Sequence, residues 1–174
     1  QDIIVDLLSS LSAVKELSEL DHQASNEKEL VFKALSILIQ NQDMERCSFF
    51  VLDEQQKLVN LTGLSSKEYS GAERLNLTPL TFKIGEGIIG HAAKTGKIQH
   101  CKNCKEDPRF SNSLSQVNGT LPGSVISVPV SVANGLIGVL NISHPDANYF
   151  SEWHIRLLQI YKNMMGELIT NYRL

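Results

Sequence analysis

The sequence predicts an α+β domain with a largely antiparallel central sheet and its main helices gathered on one side. Three observations carry this. Apolar residues recur at helical spacing near both ends of the chain, strand-forming runs rich in β-branched and aromatic residues fill the middle, and Asn134-Gly135 separates two of those runs. An Asn-Gly pair in that setting is the strongest short-range sign of a hairpin.

Taken in order, Ile4, Leu7, Leu8, Leu11, Val14, Leu17 and Leu20 form a stripe that predicts a helix ending near Asp21. A second helix is expected from Asn26, with Glu29 three residues on as in a capping box, to about Asn41. Residues 47–53 and 58–62 then read as a hairpin closed by the polar turn Glu54 to Lys57. A long polar loop is expected over 65–80. In Phe82-Lys-Ile-Gly-Glu-Gly-Ile-Ile-Gly-His-Ala-Ala-Lys-Thr-Gly96, Gly85 and Gly87 allow a tight turn out of a strand into a short helix that Gly96 stops. Gly90 inside that helix implies close packing against a neighbouring strand. Lys97 to Cys101 is expected as a short strand, 106–110 as a turn, and 111–122 as a second polar loop. The clearest hairpin is 124–132 with 136–143, where Pro129 implies an edge position or a bulge. A helix from Ser151 to Tyr172 closes the chain, with Leu157, Leu158, Tyr161, Met164, Met165, Leu168 and Tyr172 on its apolar face.

Bulk properties narrow the function. At 174 residues, 42% hydrophobic and 20% charged, the chain suits one well-buried core. A net charge of −3 supplies no field for phosphate backbones, which argues against nucleic acid and acidic membrane surfaces as partners. No apolar run approaches the ~20 residues a membrane helix needs, and no signal-peptide pattern stands at the start. Three cysteines, an odd number, point to reduced thiols and a cytoplasmic setting. The sequons at Asn60, Asn76, Asn118 and Asn141 then read as chance. The start at Gln1 without methionine predicts a portion of a longer protein.

The run from Phe82 to Lys97, Asp107-Pro-Arg-Phe110, Ser124-Val-Ile-Ser-Val-Pro-Val130 and Leu136-Ile-Gly-Val-Leu-Asn141, in that order, resembles a GAF domain. The likeness assigns residues 21–172 to the domain and leaves 1–20 as an N-terminal linker or dimer helix. It implies a GAF-like, PAS-related fold: an antiparallel sheet of about six strands, terminal helices on one face, and a short helix plus loops over the other. It also implies a sensory module that binds a small molecule and is not itself an enzyme. The ending Phe150-Ser-Glu-Trp-His-Ile-Arg-Leu-Leu158 is most similar to modules that precede a diguanylate cyclase. Departures from the family's special patterns are informative. Asn141 is followed by Ile142 rather than Lys, which argues against cyclic GMP binding. His100-Cys101 reverses the dipeptide of bilin carriers, and Gly87-Ile-Ile-Gly90 lacks the cysteine of free methionine-sulfoxide reductases.

Candidate ligand contacts are Phe49, Phe82, Ile84, His91, His100 and Phe110. His91, on the short helix bordering the implied pocket, is placed to donate to a ligand or to bind haem iron. In the strand before Cys101, Ile98 and His100 share a face; taking the apolar face as the buried one turns His100 toward the pocket and Cys101 away. Cys101 and Cys104 leave three readings open: a metal site with His100 as a further ligand, a reversible disulfide, or two reduced thiols packing a turn. No paired-carboxylate motif, nucleophile elbow, phosphate loop or His-Glu-x-x-His stands in the sequence, so catalysis rests on the thiols alone. The rival functions are thus a thiol- or metal-based redox sensor or reductase, and a pocketless dimerisation module. Amphipathic helices at both ends suit a homodimer that relays a signal.

Overall fold

The computed structural model describes residues 3–20, 26–41, 44–65, 81–110, 122–133 and 135–174. The two loops expected over 65–80 and 111–122 lie almost wholly outside them.

The first apolar stripe folds as α1, Ile3–Ser18, and the second as α2, Glu27–Asn41. Asn26 caps α2, its side-chain oxygen accepting the Glu29 N–H at 2.8 Å. β1, Arg46–Leu52, and β2, Lys57–Ser65, form the first hairpin. Its turn is set by Asp53, whose carboxylate accepts the N–H groups of Gln55 and Lys57 at 2.9 and 2.8 Å. β3, Thr81–Lys83, turns directly into α3, Gly87–Thr95, and β4 is Gln99–Cys101. β5, Ser124–Val132, and β6, Gly135–His144, make the long hairpin, and α4, Glu152–Arg173, ends the chain. At the start of α4 the Ser151 N–H donates to Nδ1 of His154 at 3.0 Å, so a histidine takes the part usually given to Glu in a capping box.

The six strands form one antiparallel sheet in the order β3-β2-β1-β6-β5-β4. Pro129 sits in β5 two residues beyond Ser127, the last β5 residue that β4 pairs. It pairs with Val139 of β6 but has no β4 residue on its other side, so β5 is locally an edge there, and the register shifts next to it, between Val130 and Ser131. Both readings of Pro129, edge and bulge, hold in part.

Helices α1, α2 and α4 cover one face. Leu30, Ala34, Leu35 and Leu38 of α2 and Leu158, Tyr161 and Met165 of α4 meet Phe49, Ile126, Val128, Leu140 and Ile142 of the sheet in the main core. Tyr161 is fully buried and donates its hydroxyl to the Ala34 carbonyl at 2.6 Å, which ties α4 to α2. Burial pushes its phenol pKa up. Helix α3 covers the other face alone among the described elements, over two small clusters, Phe50, Leu58, Phe82, Ile89, Ala92 and Val139, and Ile88, Cys101, Cys104 and Val125. Helix α1 is the exception to good burial: only Ser10, Ala13 and Leu17 are buried, while Ile4 is 68% and Leu8 60% exposed. No described helix is long and apolar enough to cross a membrane.

Candidate functional site

Residues paired across an antiparallel sheet point to the same face, and alternate residues along each strand share it. Val139, Phe50 and Val125 lie under α3, so the partners two positions along do too. These are Gln99, Ser127, Asn141 and Ser48, paired successively across β4, β5, β6 and β1 and ending at Gly63 on β2. A row of four uncharged polar side chains therefore crosses the α3 face, between the two apolar clusters. Ser127 is fully buried and donates its hydroxyl to Oδ1 of Asn141 at 2.6 Å. An apolar floor with a few fixed polar groups is the usual make-up of a small-molecule site, because the apolar surface supplies affinity and the polar groups fix orientation.

One end of the row is held by Arg109. Its guanidinium donates to Oε1 of Gln99 at 2.6 Å, to the His100 carbonyl at 3.1 Å and to the Asp107 carboxylate at 2.9 Å. Arg109 thereby ties the turn over 107–110 to the backbone of β4, an edge strand of the sheet. The Arg109 hydrogen bond holds the Asp107 pKa down at about 2, and Asp107 in turn raises that of Arg109. This is the physical content of the Asp-Pro-Arg-Phe motif: a turn that locks β4, followed by Phe110 against the thiol cluster. An open cleft of about 570 Å³ runs along this edge, lined by His100, Lys102, Glu106, Asp107, Arg109 and Asn148 among others.

The expected contacts divide between the two faces. Phe82 is buried on the α3 side, edge-on to Phe50 with ring centroids 5.3 Å apart, and Phe110 packs on the same face beside the thiols. Ile84 is exposed. His91 stands half-buried on α3, where its Nδ1 donates to the carbonyl of Gly87 at 2.7 Å. Phe49 packs in the main core under the terminal helices, away from α3. His100 is likewise on the terminal-helix side: it pairs with Ile126 and meets Phe150 edge-on at 6.5 Å. The expected facing of β4 is therefore reversed. Ile98 and His100 do share a face, but the more thoroughly buried face belongs to the terminal helices rather than to a pocket, and Cys101 points under α3. Burial, then the charges of Lys102, Arg109 and His154, lowers the His100 pKa.

Of the three readings open for the thiols, the metal site loses its further ligand by the same reversal. His100 lies across the strand from Cys101 and Cys104, and among the described residues no three His, Cys, Asp or Glu side chains converge on one point. The polar row was not anticipated as a unit. Its trace in the sequence is one small polar residue set into each apolar run, Ser48 in Cys-Ser-Phe-Phe, Ser127 in Val-Ile-Ser-Val and Asn141 in Val-Leu-Asn-Ile.

Residues 24–169 match the family model for the GAF domain. A Nif-specific regulatory protein of Azospirillum brasilense is 25% identical over 172 residues, which cover 94% of this chain and 26% of that protein. The chain thus spans about a quarter of that relative's length. Among solved structures, a free methionine-R-sulfoxide reductase from Neisseria meningitidis in complex with its substrate superposes with a TM-score of 0.79 at 16% identity, covering 97% of this chain and 92% of that one. A GAF domain from A. Aeolicus in an inactive state gives 0.75 at 19%, covering 95% and 98%. These two likenesses concern the fold. With a six-stranded antiparallel sheet, helices on both faces, and a family match across most of its length, this chain belongs to the GAF domain family.

Proposed function

We propose that the chain is the sensory module of a longer signalling protein: a small molecule binds on the α3 face and the terminal helices carry the change onward. The observation that carries this reading is the polar row Gln99, Ser127, Asn141 and Ser48 between two apolar clusters. Four neutral hydrogen-bonding groups with no charge among them favour an uncharged, flat or compact ligand bearing both donors and acceptors. The domain itself needs no catalytic step for this role. Family membership and the regulatory relative support a regulatory output, and a signalling enzyme of the diguanylate cyclase type suits the α4 sequence. The sheet is the natural conductor, since Asn141 lies under α3 while its β6 neighbours Leu140 and Ile142 pack on the terminal-helix side. The exposed stripe of α1 supports a homodimer through the terminal helices as the relay.

The test is thermal unfolding in the low-molecular-mass fraction of a host-cell extract. At about a hundredfold excess over its Kd, a bound molecule adds about 2.7 kcal/mol, which raises Tm by roughly 5–10 °C for a domain of this size. The expected result is such a rise in the wild type and its loss in Asn141→Leu. No rise, or a rise unchanged in Asn141→Leu, contradicts the assignment.

A further inference from the structure

Cys101 is the last residue of β4 and Cys104 lies in the turn after it, and both side chains sit under α3 with Ile88 and Val125. Their sulfur atoms are 3.3 Å apart. The turn is fixed from three sides. The Asn103 carbonyl accepts the N–H groups of Glu106 and Asp107 at 3.1 Å, its side chain accepts that of Lys105, and the Cys104 N–H donates to the Gly123 carbonyl at 2.9 Å. The two thiols are not equivalent. Cys101 is fully buried and donates its S–H toward Cys104, which keeps 4% exposure. The third thiol, Cys47, is fully buried in the terminal-helix core, on the opposite face of the sheet.

We propose that Cys101 and Cys104 are a two-electron redox site, closed to an intrachain disulfide by a hydroperoxide, with Cys104 as the attacking sulfur and Cys101 as the resolving one. In the first step the Cys104 thiolate attacks the terminal peroxide oxygen. A sulfur–oxygen bond forms, the oxygen–oxygen bond breaks, and the leaving alkoxide or hydroxide takes up a proton, giving a sulfenic acid. In the second, the Cys101 sulfur attacks the Cys104 sulfur. The disulfide forms, the sulfur–oxygen bond breaks, and hydroxide leaves with the proton that Cys101 gives up as water. Two thiols are oxidised and one peroxide is reduced; a dithiol reverses the change by exchange.

The division of roles rests on two geometric facts: Cys101 is sealed off while Cys104 keeps a sliver of exposure, and the Cys101 S–H points at the Cys104 sulfur. That hydrogen bond lowers the Cys104 pKa against the opposing effects of burial and Asp107, and with burial it raises that of Cys101. Burial raises Cys47 and leaves it inert. Closing 3.3 Å to the ~2.05 Å of a disulfide draws the turn toward β4, the strand that carries Gln99 and its Arg109 clamp. Oxidation thereby acts on the edge of the polar row. The redox site goes beyond the ligand reading and stands whether or not a small molecule occupies that row.

The experiment treats the whole chain with one equivalent of hydrogen peroxide, alkylates remaining thiols and maps tryptic peptides. Trypsin cuts after Lys102, between the two cysteines, so a disulfide appears as two joined peptides, lighter by two hydrogen atoms than their sum. The expected result is Cys101 joined to Cys104 within one chain, Cys47 alkylated only after denaturation, and full reversal by dithiothreitol. Dimedone added with the peroxide is expected on Cys104. In the single variants, Cys104 in Cys101→Ser should react at least about tenfold faster than Cys101 in Cys104→Ser. Should either variant fail to fold, the dimedone position in the wild type decides alone. First labelling on Cys101, joining through Cys47 or between chains, or no joined pair at doses that leave Cys47 intact would each overturn the proposal.

Discussion

His100 is held in an environment that disfavours its proton. Its ring lies against Phe150, its Nε2 is buried with no hydrogen-bond partner among the described residues, and Lys102, Arg109 and His154 add positive charge around it. A folded-state pKa below the ordinary 6.5 means that the unfolded chain binds the proton more readily as pH falls. The stability His100 contributes is therefore present at neutral pH and lost as pH drops through about 6.5 and below. Urea unfolding at about pH 7 and pH 5.5 should show a smaller difference in His100→Gln than in the wild type. An equal difference removes His100 as the source. Asp107 acts in a separate window: its pKa of about 2 makes its contribution present above the ordinary carboxylate range and lost only in stronger acid.

The β3–α3 turn shows why local sequence signals carry so far here. An added Cβ at Gly90 would meet the Lys83 carbonyl oxygen at 2.5 Å and the Gly85 nitrogen at 2.9 Å, because the turn folds back on the helix through the Gly85 N–H to Gly90 carbonyl bond at 2.8 Å. Gly96 differs: an added Cβ meets nothing within 4 Å, and only its φ of 68° asks for glycine. Gly90→Ala should therefore cost about 3 kcal/mol or more, the upper end for overpacking because the overlap is with backbone atoms that cannot swing aside, against roughly 1–2 kcal/mol for Gly96→Ala through conformation alone. Equal losses in chemical denaturation would contradict the difference in mechanism. The spacing of the glycines made this turn legible in the sequence, as the Asn-Gly pair did for the β5–β6 hairpin. Strands β3 and β4 are another matter. At three residues each they are too short for alternation to declare a face, and the facing of His100 and Cys101 depended on which layer of the molecule is the better buried. That is a tertiary fact. The polar row was hidden for the same reason, since Ser48, Ser127 and Asn141 are up to 93 positions apart in sequence and meet only through register.

At the scale of the molecule, the sheet separates a thick core under α1, α2 and α4 from a thinly covered face under α3. The family, the sheet and the helical termini were legible because motif order and periodicity are properties of the chain itself. The facing of the candidate contacts was legible only in part: Phe82 and Phe110 lie on the α3 face, whereas Phe49 and His100 lie on the other. The thick side has an exposed apolar margin. Leu7, Leu8 and Leu11 of α1 are 46%, 60% and 56% exposed, and Leu7 and Leu11 line an apolar groove of about 150 Å³ with Trp153, Leu157 and Ile160. A dimer through this margin should show twice the chain mass by light scattering, and Leu8→Glu with Leu11→Glu should return it to the monomer mass with the fold intact. A monomer from the wild type at micromolar concentration contradicts the relay.

Occupancy of the polar row on the α3 face by a small molecule is read from a native mass spectrum of the chain purified from its own host. A noncovalent adduct below a kilodalton is expected on the wild type and not on a folded Ser48→Val, Asn141→Leu double variant. A bare wild-type mass, or an adduct that survives both substitutions, would contradict it.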